Sequence, residues 1–297
     1  MISSIRGLLL WALLLVFSPA YATDSVAVVT TQLTPQLYLL QGKGGNVLAS
    51  VGPDGVLLID NDYAGLGPVY REALAKLGAE APDYVINTHW HSDHTGNNDF
   101  WRTAGATVVA QDNVRLRMST TQRSEFFGRD TPPSPPQSWP TVTYANVMAL
   151  HVNADTVELR HYARGHTDGD SVVFFARANV VHMGDLFFKN SFPFVDYDSG
   201  GAVTSYIRNI EAILARTDDK TVIVPGHGGK TATRADLMRY LEMMRATRTE
   251  VQALAAQGMS LEQMQVQGLP AVWADWGKGF INQEKWIRTL HASLDEG

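Results

Sequence analysis

The sequence of 297 residues contains no cysteine. This absence excludes disulfide bonds, thiolate nucleophiles, thiolate metal ligands and a lipid anchor on cysteine. The stability of the chain must therefore come from a hydrophobic core, for which apolar residues at 45% of the sequence are sufficient. A site for zinc or a similar metal can be built only from histidine and carboxylate side chains.

Positive charge is also scarce. Lysine and arginine total 24 residues against 30 aspartates and glutamates, which gives a formal net charge of −6. Proteins that bind nucleic acids need clustered Lys and Arg side chains to contact phosphates, and no basic run stands out here. We therefore expect no nucleic acid as a partner.

The apolar run near the start, residues 7–17, has only 11 residues. A membrane-spanning helix needs about 20 apolar residues, so this run is too short for one. A positive residue precedes it, and an A-x-A cleavage signal follows at Ala20-Tyr21-Ala22. The pattern predicts a cleaved signal peptide at residues 1–22 and one domain at residues 23–297. The mature protein is expected to be periplasmic or secreted, without a stable membrane anchor.

Short apolar runs alternate with helical patterns along the rest of the chain. The sequence predicts strands at residues 37–40, 47–51, 56–59, 84–87, 107–110, 147–152, 156–162, 171–176, 180–183 and 221–224. It predicts helices at residues 67–78, 98–103 and 203–215 and a mostly helical C-terminal part at about 231–297. Five prolines in residues 131–140 indicate a stiff surface excursion. The alternation of strands and helices in two similar blocks predicts an α/β layered domain.

The stretch Thr88-His89-Trp90-His91-Ser92-Asp93-His94 carries the strongest chemical signal. It directly follows the predicted strand at residues 84–87, and four of its side chains can bind metal. In a loop that leaves a strand, this spacing allows two histidines to hold one ion while Asp93 and His94 face a second. Imidazole and carboxylate are the ligands that zinc accepts when sulfur is absent.

Three more candidate ligands stand at the ends of predicted strands: His166, Asp185 and His227. Each has a glycine beside it, in the segments G-H-T-D-G-D, M-G-D and P-G-H-G, which allows the tight turns that aim a side chain. Five of the nine histidines belong to this set, whereas isolated surface histidines would not recur at strand ends. The sequence predicts a metal centre formed by His89, His91, Asp93, His94, His166, Asp185 and His227.

These motifs, in the order HxHxDH, GHTxGD, GD and PGHG, resemble those of the metallo-β-lactamase superfamily over about residues 33–230. The resemblance implies a four-layer αβ/βα sandwich with two zinc ions per chain at the rim between two sheets. It also implies that His89, His91 and His166 bind the first zinc. Asp93, His94 and His227 would bind the second, and Asp185 would bridge the two ions.

Two zinc ions lower the pKa of a shared water, so that hydroxide can attack a carbonyl carbon at neutral pH. We expect Asp93 to act in catalysis by orienting this hydroxide. Asp60 and Thr88 are predicted to fix the orientation of the histidine ligands. Lys189 and Asn190 follow Asp185 closely and are candidates to bind a substrate carboxylate, which predicts an anionic small-molecule substrate.

The remaining aromatic and histidine residues are assigned with less detail. Five aromatic residues are interpreted either as apolar walls of the substrate site or as core: Trp139, Phe192, Phe194, Trp273 and Trp276. Three histidines inside predicted strands are interpreted as structural: His151, His161 and His182.

Single residues rank the relatives within the superfamily. His91 stands where flavodiiron-type redox members carry glutamate, which favours a hydrolytic zinc site. Asp185 is similar to the bridging aspartate of glyoxalase II-type thioesterases and lactonases rather than to β-lactamases with two three-residue sites. The leading hypothesis is hydrolysis of a lactam, lactone, ester or thioester, with β-lactamase activity left open. The alternatives are an iron-dependent sulfur dioxygenase, a glyoxalase II-like thioesterase and a non-catalytic metal-binding accessory protein.

Overall fold

The computed structural model describes residues 26–296. The predicted signal peptide, residues 1–22, lies outside the described residues. Among the helices that are described, none is both long and apolar enough to cross a membrane.

The first sheet has seven strands in the order β1-β2-β3-β4-β5-β6-β9. Their bounds are β1 Val29–Gln32, β2 Leu37–Gln41, β3 Val47–Gly52, β4 Gly55–Ile59, β5 Tyr84–Asn87, β6 Thr107–Gln111 and β9 Val142–Tyr144. Strands β1 to β4 pair antiparallel, and β4, β5, β6 and β9 pair parallel. In this register Ile59 lies beside Ile86, so the segments after β4 and β5 leave the sheet at the same edge.

The second sheet has five strands in the order β10-β11-β12-β13-β14. Their bounds are β10 Val147–Val152, β11 Asp155–His161, β12 Ser171–Phe175, β13 Val180–His182 and β14 Val222–Val224. The pairs are antiparallel except β13 with β14, which is parallel and places His182 beside Val224. A separate hairpin pairs β7, Gln122–Ser124, with β8, Arg129–Thr131.

Eight α-helices connect and cover the sheets within the described residues. Their bounds are α1 Gly67–Ala75, α2 Ser92–Thr95, α3 Asn98–Thr103, α4 Asp112–Ser119, α5 Val203–Leu214, α6 Arg234–Ala256, α7 Leu261–Gln267 and α8 Gln283–Ala292. Helices α6 to α8 form the predicted helical C-terminal part. Their buried side chains join those of α5 in one core against the second sheet.

Alternation along the strands builds the layers. In β4, Leu57 and Ile59 pack into the core between the two sheets, whereas Leu58 packs on the opposite face against α1. In β12, Val173 points into the inter-sheet core and Val172 into the core beneath α5 and α6. The order helix, sheet, sheet, helix confirms the predicted four-layer αβ/βα sandwich.

The structure differs from the predicted elements in a few places. Helix α1 ends at Ala75 rather than at residue 78, because Gly78 adopts a left-handed φ of 82° and turns the chain back. The amide of Ala79 donates to the carbonyl of Leu74, which closes this helix end. Strands β1, β7, β8 and β9 were not predicted, because they are short and mostly polar.

Candidate metal centre

The fold brings all seven predicted ligands together at the rim between the two sheets. They form two groups of side chains whose ligand atoms lie within 4.8 Å of one another. The first group is His89, His91, His166 and Asp185, and the second is Asp93, His94 and His227. We refer to these as the first and second ligand groups.

Strand ends explain this convergence. His89 to His94 follow the carboxyl end of β5, and Asp185 and His227 follow the carboxyl ends of β13 and β14. Because His182 pairs with Val224 in the parallel register, Asp185 and His227 leave the sheet at equivalent positions. His166 precedes β12, whose antiparallel direction brings its amino end to the same edge.

In the first ligand group, two histidines face each other through ring nitrogens. His91 Nδ1 lies 2.8 Å from His166 Nε2. The opposite nitrogens have acceptors, because His91 Nε2 lies 2.9 Å from Asp196 Oδ2 and His166 Nδ1 lies 2.8 Å from the carbonyl oxygen of Phe194. If the outer nitrogens donate, both inner nitrogens present lone pairs, an arrangement that a shared cation stabilises.

His89 completes this group with an unpaired atom. Its Nδ1 lies 3.1 Å from Thr88 Oγ1, whose own proton is donated to Asp60 Oδ2. Thr88 therefore accepts from His89 Nδ1, which leaves Nε2 with a lone pair. That Nε2 is buried without a hydrogen-bond partner and points toward Asp185 Oδ2 at 3.8 Å. A buried nitrogen of this kind needs a partner, and a metal ion fits the position.

The second ligand group is held from behind by Asp60. Asp60 Oδ2 lies 2.7 Å from His94 Nδ1, and its Oδ1 accepts a 2.8 Å hydrogen bond from the Thr88 amide. His94 Nε2 then faces His227 Nε2 at 3.3 Å. Asp93 Oδ2 lies 3.2 Å from His227 Nε2 and 3.6 Å from His94 Nε2, so three donors face one point.

Asp185 lies between the two groups. Its Oδ2 is 3.5 Å from His166 Nε2, and its Oδ1 is 3.2 Å from His94 Nε2. The Oδ1 atom is close to these nitrogens yet has no hydrogen bond of acceptable geometry. One carboxylate that offers one oxygen to each group has the placement expected of a bridge between two ions.

Electrostatics divide the two groups. Burial lowers the pKa of His166 to about 4 and holds that of His89 well below its usual range, so both imidazoles are neutral. Burial also disfavours a charged His227, but Asp185 and Asp93 outweigh it and raise its pKa to about 9. The same balance, dominated by Asp185, Asp93 and Asp60, holds the pKa of His94 well above its usual range. Without a metal ion, protons supply the positive charge that the second group requires.

The residues present therefore fit a metal centre. Neutral imidazoles with fixed tautomers in the first group, the two carboxylates of Asp93 and Asp185, and the unpaired buried nitrogen of His89 form a donor set that zinc accepts without sulfur. Two glycines leave space for the ligand side chains. A Cβ on Gly226 would stand 2.2 Å from Asp185 Oδ1, and Gly184, with φ of 50°, lies against Thr88. Side chains at either position would push the bridging carboxylate or the His89 support aside.

The predicted supporting residues are at the site, but the predicted substrate residues are not arranged as expected. Asp60 and Thr88 both contact ligands, as described above. Lys189, in contrast, donates from Nζ to the carbonyl of Thr231 at 2.7 Å and lies 3.5 Å from Asp236 Oδ2. Its ammonium group is thus already engaged at the start of α6, and the assignment of Lys189 as a carboxylate anchor stays a prediction. Asn190 is an exposed residue with a left-handed φ of 59° and makes no side-chain hydrogen bond within the described residues.

Of the five aromatic candidates, only Phe194 lies beside the ligands, with its ring centroid 5.9 Å from that of His91. Phe192, Trp273 and Trp276 belong to the core under the C-terminal helices, and Trp139 packs near α4. The three histidines interpreted as structural bond elsewhere: His151 to Thr156, His161 to the Asp170 carbonyl and His182 to the Asn46 carbonyl.

Two acids at the site were not anticipated from the sequence. Asp196 lies next to His91 and is buried. The sequence signal for it was an acidic residue directly after the apolar residues Phe194 and Val195. Asp62 is buried and accepts hydrogen bonds from the amides of Lys43 and Gly44. It thereby holds the glycine loop at residues 42–45 against the second ligand group, where a Cβ on Gly45 would meet the His94 ring.

Comparisons with known proteins identify the family of this chain. The family model of the metallo-β-lactamase superfamily matches residues 38–227, from β2 to the last candidate ligand. An uncharacterized protein of Mycobacterium leprae is 27% identical over 205 residues, which cover 64% of this chain and 88% of that protein.

Solved structures share the fold. A metallo-β-lactamase from Pontibacter korlensis superposes with a TM-score of 0.61 at 17% identity, covering 73% of this chain and 99% of the other. A sec-alkylsulfatase from Pseudomonas superposes with a TM-score of 0.64 at 15% identity, covering 90% of this chain and 50% of the other. The chain belongs to the metallo-β-lactamase superfamily and carries a cluster of His and Asp residues that could hold metal.

Proposed function

We propose that this protein is a zinc-dependent hydrolase that holds two zinc ions and cleaves a carbonyl–heteroatom bond in a small molecule. The observation that carries the proposal is the fixed direction of the histidine nitrogens. Outer acceptors take one nitrogen of His89, His91, His94 and His166, and the other nitrogen of each faces the ligand cluster. A surface cluster of histidines has no need of such a shell of acceptors.

His89, His91 and His166 would hold the first zinc, Asp93, His94 and His227 the second, and Asp185 both. Zinc, when bound, supplies Lewis acidity that makes hydroxide available at neutral pH and polarises a carbonyl group. Asp93 remains ionised, because His94 and His227 outweigh the effect of burial and lower its pKa to about 2. Its carboxylate can therefore accept a hydrogen bond from the attacking water and orient it toward the carbonyl carbon.

Lactams, lactones, esters and thioesters all suit this chemistry, because activated water attacks each of them at a carbonyl carbon. Fold similarity does not choose among them. The complete second ligand group favours a hydrolase over an iron-dependent dioxygenase that uses a three-ligand subset. A glyoxalase II-like thioesterase remains one outcome of the substrate test below.

The test is turnover of a penicillin, a carbapenem, an acyl lactone and a thioester by the zinc-loaded protein. We expect measurable kcat/KM on at least one substrate, loss on chelation and recovery with zinc. His166→Ala should remove the activity, whereas His151→Ala, which changes an exposed histidine outside the cluster, should preserve it. No turnover of any carbonyl substrate with both zinc ions bound would overturn the proposal.

A further inference from the structure

Four phenylalanine rings form a cluster beside the first ligand group. They come from separate parts of the chain: Phe126 and Phe127 from the tip of the β7–β8 hairpin, Phe194 from the loop after Asp185, and Phe280 from the loop before α8. The ring centroids of every pair among them lie between 4.7 and 6.2 Å apart. We refer to these four rings as the aromatic cluster.

Phe194 joins the aromatic cluster to the metal centre. Its ring centroid is 5.9 Å from that of His91 and 5.7 Å from that of His166, and its carbonyl accepts the His166 Nδ1 proton. His91 is also one of the ligands that solvent reaches, with its side chain 16% exposed. The open side of the ligand cluster therefore continues into the aromatic cluster.

The other three phenylalanines are open to solvent. Phe126, Phe127 and Phe280 are 39%, 50% and 57% exposed. Grouped apolar exposure of this kind marks a binding surface, whereas singly scattered apolar residues do not.

The hairpin that carries two of these rings is fixed at its base. The amide of Glu125 donates to Asp198 Oδ2 at 2.7 Å. Arg117 pairs with Asp168 at 2.7 Å and also binds the buried Gln122 side chain at 2.9 Å. The surrounding structure therefore holds the exposed rings in place rather than leaving them on a loose loop.

Positive charge lies at the far side of the aromatic cluster. Lys285 Nζ stands 4.8 Å from the ring centroid of Phe280 and 5.4 Å from that of Phe126. Within the described residues it forms no ion pair with a carboxylate, and its proton goes to the carbonyl of Phe280. If an apolar group bound against the aromatic cluster, the ammonium group of Lys285 would remain in water at the rim of the cluster.

We propose that the aromatic cluster binds the apolar part of the acyl group of the substrate, while the scissile carbonyl lies at the metal centre. This inference rests on the proposed hydrolase function and names its substrate class as esters, amides or thioesters of apolar acids. Burial of each methylene against such rings contributes enough free energy to raise affinity about two- to fourfold. Affinity and kcat/KM should therefore increase with acyl chain length.

Binding of a series of alkyl hydroxamates, from acetohydroxamate to decanohydroxamate, tests this proposal. These compounds chelate zinc through the hydroxamate group, and they contain neither an ester bond to an alcohol nor an amide bond to an amine. Calorimetry on the zinc-loaded protein should show dissociation constants that fall about two- to fourfold per methylene over the first several carbons. Phe126→Ala with Phe127→Ala, and separately Phe280→Ala, should flatten this dependence and leave acetohydroxamate affinity unchanged. The two variants alter different elements of the fold. If one of them misfolds, the other still tests the proposal.

Tyr84→Ala is the matched control, because Tyr84 is 39% exposed like Phe126 but begins β5, at the end opposite the ligands. It should keep the full dependence on chain length. Equal affinity for all chain lengths in the unaltered protein would overturn the proposal while leaving the hydrolase function standing, and so would an unaltered slope in both phenylalanine variants. No binding of any hydroxamate, acetohydroxamate included, would overturn both.

Discussion

The two ligand groups occupy one cluster but differ in the protonation of their histidines. The imidazoles of His89 and His166 are buried and neutral, with lone pairs directed inward. His94 and His227 stand among carboxylates that raise their pKa values, so they retain protons. The first group is therefore prepared to bind a cation, whereas the second must exchange protons for one.

Exposure differs among the ligands within each group. The His227 side chain is 28% exposed and that of Asp93 is 17%, while His89 and His166 are almost fully enclosed. His91 of the first group is 16% exposed and His94 of the second is fully buried, so each group has an open side as well as an enclosed one. A change in one group can therefore be compared with the other group as an internal reference.

The largest effect is expected from Asp93→Ala, which removes an anionic donor from the second group only. We predict a loss of at least ~10²-fold in kcat, because both a metal ligand and the orientation of the attacking water are lost. The first metal should stay bound and the fold should persist, as measured by metal content and circular dichroism.

The control for this change is Asp275→Ala, which removes an aspartate whose side chain is 85% exposed on the surface. It should leave kcat and metal content unaltered. Near-normal turnover by Asp93→Ala would mean that the second group does not take part in the chemistry.

The proton content of the second group predicts a pH dependence. A metal ion must displace a proton from His227, whose pKa is raised to about 9, and another from His94, so affinity of the second group should fall by up to about a hundredfold per unit as pH decreases. With the pKa of His166 lowered to about 4, affinity of the first group should change little between pH 6 and 8. Zinc titration calorimetry at pH 6, 7 and 8 measures both.

The second zinc should therefore leave first as the solution is acidified, with release of protons on rebinding. Two sites with the same pH dependence would show that the carboxylates do not separate the groups in this way.

A smaller effect is expected from Asp196→Asn, which weakens the acceptor of His91 Nε2 at 2.9 Å. An amide fixes the tautomer less firmly than a carboxylate, so metal affinity of the first group should fall about tenfold. Asp198→Asn, two residues away in the same turn, alters an acid that bonds the Glu125 amide instead. It should leave metal affinity unchanged, and equal effects of the two variants would argue for a general disturbance of the turn.

The smallest effect is expected from Lys189→Ala. Its ammonium is engaged by Thr231 and Asp236 outside both ligand groups, so KM for anionic substrates should not change. Melting temperature should fall slightly, because a partly exposed pair of this kind stabilises a protein by at most about 1 kcal/mol. A rise in KM restricted to anionic substrates would instead support the carboxylate-anchor assignment.

The outcome for Lys189 shows where sequence reasoning succeeds and where it ends. Motif order and strand ends predicted the convergence of His89, His166 and His227, because the carboxyl ends of β5 and β14 and the amino end of the antiparallel β12 lie at one rim. The direction of a long, flexible side chain depends on partners distant in sequence, here Thr231 and Asp236. Four residues of separation from Asp185 carried no information about that direction.

The same limit applies to Asp196 and to the aromatic cluster. Asp196 meets His91 across 105 positions of sequence, and Phe126, Phe194 and Phe280 meet only in the folded chain. Short apolar runs predicted most strands of both sheets, because strands buried on both faces have nearly continuous apolar sequences. The β7–β8 hairpin has no such pattern, since its strands have three residues each and little apolar content.

We propose that the two ligand groups together hold two zinc ions per chain. Elemental analysis of the protein, purified without chelators and dialysed against zinc at pH 8, tests it most directly. We expect two zinc ions per chain in the unaltered protein and one zinc ion per chain in Asp93→Ala. One metal per chain under saturating zinc, or stoichiometric iron with negligible zinc after purification, would contradict it.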